Sequence, residues 1–194
     1  MHLLLIRHGE TTRVDSETGI ADPPLTDNGR EQARRLAEWL KDERLDHIVV
    51  SPLRRARETA APLAERFGLE PEVIAKLAEF DAEASSYIPM EELRATRDPR
   101  LRAMTEGRWE ELGSMVEPET FRSDIIAALD GVATAHPGQR VAVVCHGAVI
   151  NVYLGDVIGT PRLLWFEPRY ASVSRVLISR DGIRSVESVN ESTR

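Results

Sequence analysis

A single cysteine, Cys145, stands in the 194 residues, so no intramolecular disulfide can staple the chain. Such sparse cysteine fits a reducing compartment. Cys145 closes an apolar run and reads as a small packed hydrophobe, not as a nucleophile. Long hydrophobic runs are missing too. Nothing approaches the roughly 18 apolar residues of a membrane span, and the opening run, Leu3 to Ile6, meets Arg7 too early for a secretory signal. A cytoplasmic protein without membrane partners is expected. Positive charge is in deficit: 25 Lys and Arg against 32 Asp and Glu leave a formal net charge of -7. Generic nucleic-acid binding favours basic surfaces, so it is not expected here. There is no internal repeat, no low-complexity segment and no Gly-x-Ser-x-Gly nucleophile elbow.

Against this acidic background, basic residues recur in one kind of place. Leu3 to Ile6 runs straight into Arg7, His8 and Gly9; His47-Ile-Val-Val-Ser51 is followed by Pro52-Leu-Arg-Arg-Ala56; Val141-Ala-Val-Val-Cys145 ends at His146-Gly147. Continuous apolar runs are the mark of parallel strands covered on both faces. In open α/β sheets the ligand sits outside the carboxyl ends of such strands. Side by side, the three would bring Arg7, His8, Arg54 or Arg55, and His146 to one crevice, a natural anion site.

Between the runs lie helical patterns. Thr26 is placed to cap a helix with Ala33, Leu36, Ala37 and Leu40 on one face. Pro52 to Phe67 forms a second, closed by Gly68, with Pro62 expected to kink or break it. Glu119 to Val132 and Gly147 to Ile158 supply two more, and the latter turns its N-terminus toward the crevice. Ser172–Ser179 and Ile183–Val189 flank Arg180-Asp181-Gly182, a hairpin signal. The expected fold is α/β: a three-layer α/β/α sandwich whose mostly parallel sheet carries antiparallel strands at one side. One domain should span residues 1–194, with a lid-like insertion at about 79–117 built from short pieces such as Pro89–Thr96 and Pro99–Met104. An exposed edge strand offers a route to a homodimer. His136 and His47 read as solvated turn residues, and Glu191 to Arg194 as frayed.

The crevice chemistry follows from its groups. Two histidines lack the further ligands zinc needs, and guanidiniums would repel a dication, so no metal is expected. Arginine holds tetrahedral oxyanions through its planar, permanently charged fork. A neutral histidine can attack phosphorus and carry the phosphoryl group while cations neutralise the oxygens.

Leu4-Leu-Ile-Arg-His-Gly-Glu-Thr11 resembles the signature of the histidine phosphatase superfamily, which includes the cofactor-dependent phosphoglycerate mutases. Leu25-Thr-Asp-Asn-Gly29 with Gln32-Ala33, Ser51-Pro-Leu-Arg-Arg-Ala56 with Thr59-Ala60, and Val143-Val-Cys-His-Gly147 extend the resemblance over nearly the whole chain. It implies a phosphoglycerate mutase-like fold, His8 as nucleophile, and Arg7, Arg55 and His146 as the phosphate pocket. It implies Glu79, in Leu77-Ala-Glu79, as general acid, with Asp81 and Glu83 as fallbacks; Arg54 is left to the surface.

Two departures separate this chain from the family pattern. Val14 stands where members often carry Asn, and Ala84-Ser-Ser-Tyr-Ile-Pro89 replaces a Gly-x-Trp-Glu-Gly pattern. Both fall where the leaving group is recognised. The first expectation is therefore a metal-independent phosphomonoesterase acting on a small phosphorylated substrate without a cofactor. A phosphoglycerate mutase-like phosphotransferase is second, with Arg94, Arg97, Arg100 and Arg102 as candidates for a basic lid. A phospholigand-binding module without catalysis is third.

Overall fold

The computed structural model describes residues 1–17, 19–112 and 117–193. In chain order the elements are β1 (His2–Arg7), β2 (Val14–Asp15), α1 (Asp27–Trp39), β3 (His47–Val50), α2 (Arg54–Phe67), β4 (Glu72–Val73), β5 (Ser86–Tyr87), α3 (Met90–Ala95), α4 (Pro99–Glu106), α5 (Pro118–Ala135), β6 (Arg140–Cys145), α6 (Gly147–Ile158), β7 (Val173–Ile178) and β8 (Arg184–Glu191). Six strands form one sheet in the order β4-β3-β6-β1-β7-β8. β4, β3, β6 and β1 run parallel, while β7 and β8 join antiparallel at one side.

Strand alternation divides the core. Leu3, Leu5, Val141 and Val143 meet Ile125, Leu129 and Val132 of α5 together with the apolar face of α6. Leu4, Ile6, Ile48 and Val144 meet Leu36 and Ala37 of α1 and Ala56, Ala60 and Leu63 of α2. Both sheet faces are thus dry, which is why these strands read as unbroken apolar runs. The result is the α/β/α sandwich, and the three runs with basic ends are neighbours as β3, β6 and β1.

Several local expectations are corrected. α2 starts at Arg54, not Pro52, and passes unbroken through Pro62. Its buried face of Ala56, Thr59, Ala60 and Leu63 outweighs the one ladder bond that proline forgoes. The hairpin at Arg180-Asp181-Gly182 forms as expected, its three-residue loop closed by Ser179 N–H donating to the Ile183 carbonyl at 2.9 Å with Gly182 at positive φ (79°). Glu191 is the last residue of β8 and not frayed; Arg194 lies outside the described residues. The excursion at 79–117 contains β5, α3, α4 and a 3₁₀ turn at Trp109–Leu112, and its residues 113–116 also lie outside the described residues.

Candidate active site

β1 ends at Arg7, and the next two residues turn against α1. A Cβ on Gly9 would lie 2.6 Å from the Gly29 carbonyl oxygen, and one on Gly29 would lie 2.2 Å from that of Glu10. Only two glycines permit this backbone approach. The loop is then pinned: Gly9 N–H donates to Thr59 Oγ1 (2.9 Å), Glu10 N–H to Gln32 Oε1 (2.8 Å), and the Glu10 carboxylate accepts from Thr26 and Asn28 (both 2.9 Å). Thr26 also caps α1 by accepting from Gly29 N–H. The sequence pattern around Thr26 and Gln32 therefore holds the His8 loop in place.

His8 Nδ1 lies 2.7 Å from the Gly9 carbonyl oxygen. A carbonyl can only accept, so Nδ1 carries the proton and Nε2 keeps its lone pair. Burial, with Arg55 and Arg7 nearby, holds the His8 pKa well below the ordinary imidazole value, so the ring is neutral near pH 7. The result is a neutral imidazole of fixed tautomer with a lone pair on Nε2.

Arg7, His8, Arg55 and His146 converge, each no more than 4% exposed. The His8 and His146 ring centroids are 5.2 Å apart. Ser51, directly after β3, has its Oγ 2.6 Å from His146 Nε2 while accepting from Leu53 N–H. With two lone pairs, the Ser51 hydroxyl can accept from Leu53 and still either donate to His146 Nε2 or accept from it. Burial and the neighbouring Arg55 keep His146 neutral as well. Arg7 Nε, Arg55 Nε and His146 Nδ1 are buried with no hydrogen-bond partner among the described residues. Buried polar atoms without partners are costly unless a ligand takes them, and two guanidinium N–H groups beside two imidazoles suit a tetrahedral oxyanion.

Glu79 follows a short helical turn at Ala75–Leu77. Its carboxylate accepts from Ala148 N–H at the start of α6 (3.0 Å) and from Phe80 N–H (3.0 Å). Burial and the neighbouring Asp81 push its pKa up to about 7. Asp81 is bound to Arg55 Nη2 at 3.3 Å and acts as a charge partner. Glu83 is exposed and does not line the cavity, and Arg54 is exposed, paired with Glu58 at 2.6 Å.

Several neighbours carry no sequence signal. Glu91 of α3 bonds Arg7 Nη1 at 2.9 Å, and Tyr170 lies over the same guanidinium at 4.0 Å from its ring centroid. Tyr87 covers Arg55 at 4.6 Å and accepts from Thr11. The two departures from the family pattern turn out to touch: Val14 pairs with Tyr87 and Asp15 with Ser86, as β2 and β5 form a two-stranded sheet beside the crevice. Of the expected basic lid, Arg94 pairs with Glu167, Arg100 with Asp98 and Arg102 with Glu106 at the surface, while Arg97 is exposed with no carboxylate partner among the described residues.

Cys145 is fully buried behind His146, and burial raises its thiol pKa. His47 and His136 are not independent solvated residues: their rings stack at 4.2 Å, and His47 Nε2 lies 2.9 Å from Glu72, toward the amino ends of the strands and away from the crevice. Among the described residues, no helix is long and apolar enough to cross a membrane.

Residues 3–191 match the histidine phosphatase superfamily (branch 1), and the chain belongs to that superfamily. It is 32% identical over 157 residues to the uncharacterized phosphatase PhoE of Bacillus subtilis (strain 168), covering 80% of this chain and 76% of that one. It is 29% identical over 186 residues to the probable phosphoglycerate mutase GpmB of Escherichia coli O1:K1 / APEC, covering 91% and 84%. The fold superposes on the phosphoserine phosphatase of Entamoeba histolytica, solved with 3-phosphoglyceric acid, with a TM-score of 0.77 at 24% identity over 99% and 98% of the two chains.

Proposed function

We propose that this protein is a metal-independent phosphomonoesterase working through a phosphohistidine on His8. The observation that carries this reading is the fixed neutral tautomer of His8, with its Nε2 beside the unpartnered Nε–H groups of Arg7 and Arg55 and the unpartnered Nδ1 of His146. His8 Nε2 attacks phosphorus, and the ester P–O bond breaks as Glu79 gives its proton to the leaving oxygen. The positive charge on the phosphorylated ring is eased by the Nδ1–H bond to Gly9, and the guanidiniums neutralise the phosphoryl oxygens. Water then attacks, Glu79 takes its proton, the N–P bond breaks and phosphate leaves. Two guanidiniums already supply the charge that a metal would bring.

Hydrolysis is favoured over mutase transfer because it needs only water at the phosphohistidine, whereas a mutase must hold a bisphosphate and the basic side chains above the pocket are exposed or paired at the surface. The test is hydrolysis of p-nitrophenyl phosphate in EDTA by wild type and His8→Ala, with acid-stable and acid-labile phosphoprotein assayed after quenching. Metal-free turnover with an acid-labile phosphoenzyme, both lost in His8→Ala, is expected. Turnover retained in the variant would rule out the covalent route.

A further inference from the structure

A cavity of about 490 Å³ opens from the phosphate pocket, far more than a phosphate group alone needs. Much of its far wall is apolar. Ile88, Met90, Leu93, Leu101 and Met104 come from the excursion, and Leu164, Trp165 and Phe166 from the segment after α6. Pockets of this size, mostly apolar with polar groups gathered at one end, are the usual form of small-molecule sites.

The cations on the walls are largely committed. Arg94 is paired with Glu167, and Arg100 holds Asp98 through two bonds of 2.9 and 2.6 Å. Arg162, exposed, is the lining arginine with no carboxylate partner among the described residues. A carboxylate or second phosphate on the leaving group would compete with Glu167 for Arg94 and with Asp98 for Arg100, or would reach Arg162. An uncharged hydrocarbon would be buried against Leu93, Leu101, Met104 and Trp165 at no electrostatic cost.

We infer that this cavity is a subsite for the leaving group of phosphomonoesters of apolar alcohols, with the phosphate at His8 and the hydrocarbon between α3–α4 and the Leu164–Phe166 segment. The inference rests on the phosphatase reading for the placement of the phosphate, so its test separates the two. Binding of methyl-, butyl- and hexylphosphonate to wild type, measured by calorimetry, needs no catalysis. Affinity should rise about fourfold per added methylene that the cavity covers, and in Leu101→Asn the rise should flatten. A flat series in wild type, or phosphonoacetate binding more tightly than butylphosphonate with that preference lost in Arg162→Ala, would overturn the inference. Hydrolysis of the matching alkyl phosphates reports on the phosphatase reading alone: a rising binding series without turnover leaves the subsite standing and removes the activity.

Discussion

The Glu91 carboxylate spans both terminal nitrogens of Arg7, at 2.9 and 3.4 Å, and accepts from the Tyr170 hydroxyl at 2.6 Å. Pro168 takes a further bond from Arg7 Nη1 at 2.5 Å. Arg7 is thus gripped by its far edge, while Nε stays free. Burial pulls the Glu91 pKa up, but Arg7 and Tyr170 outweigh it and hold it below the ordinary carboxylate value. Glu91 is a positioning residue. Glu91→Ala should lower kcat/KM about tenfold by loosening Arg7, a misplacement effect, and Glu91→Gln, which keeps a hydrogen bond, should recover much of it. Steady-state kinetics of the pair checks this; equal losses would point to charge instead of placement.

The rate should follow the two shifted groups. The proposed phosphorylation step needs Glu79 protonated and His8 neutral. With Glu79 at about 7 and His8 far below an ordinary imidazole, kcat/KM for alkyl phosphates should hold through mildly acidic pH and fall about tenfold per unit above pH 7. Glu79→Gln should cost about 10²- to 10⁴-fold on these esters and abolish the alkaline limb. A pH–rate profile of both proteins decides it.

Stability should respond to the same groups with opposite signs. The raised Glu79 pKa favours the folded state below its ordinary 4.5, and that contribution is lost as pH rises through about 7. The depressed His8 and His146 pKa values favour it above their ordinary 6.5, and this is lost as pH falls below that value. Glu79→Gln should therefore raise the melting temperature more at pH 8 than at pH 5, as thermal denaturation at both would show.

Adjacent arginines should behave differently. Arg55 is 1% exposed beside His8, whereas Arg54 is exposed and paired with Glu58. Arg55→Ala should reduce kcat about 10²- to 10³-fold, as for loss of an oxyanion donor. Arg54→Ala should stay within about twofold. Parallel assays of the two variants test the assignment.

Gly29→Ala should be destabilising by about 2–4 kcal/mol, because its methyl would strike the Glu10 backbone rather than a flexible side chain. Urea unfolding gives the figure directly. The His8 loop should shift with it, so activity falls as well.

The strands were legible because β1, β3 and β6 are buried on both faces, and the basic residues at their ends became neighbours once the runs proved adjacent. Glu91, 84 positions from Arg7, and Pro168, 161 positions from it, gave no local pattern. Two-residue strands such as β2 and β5 carry no period, so Val14 and Tyr87 could not be matched in advance. Pro62 misled because local propensity was overridden by the burial of Ala60 and Leu63.

Cys145, the one thiol of the chain, stands directly before His146, sealed in the core with its ionisation suppressed. Oxidants attack thiolates that solvent can reach. In the proposed route the phosphoryl group is carried by an imidazole in front of an inert thiol, so peroxide would meet no thiolate at His8. Met90 and Met104 in the cavity wall are the sulfurs it could reach.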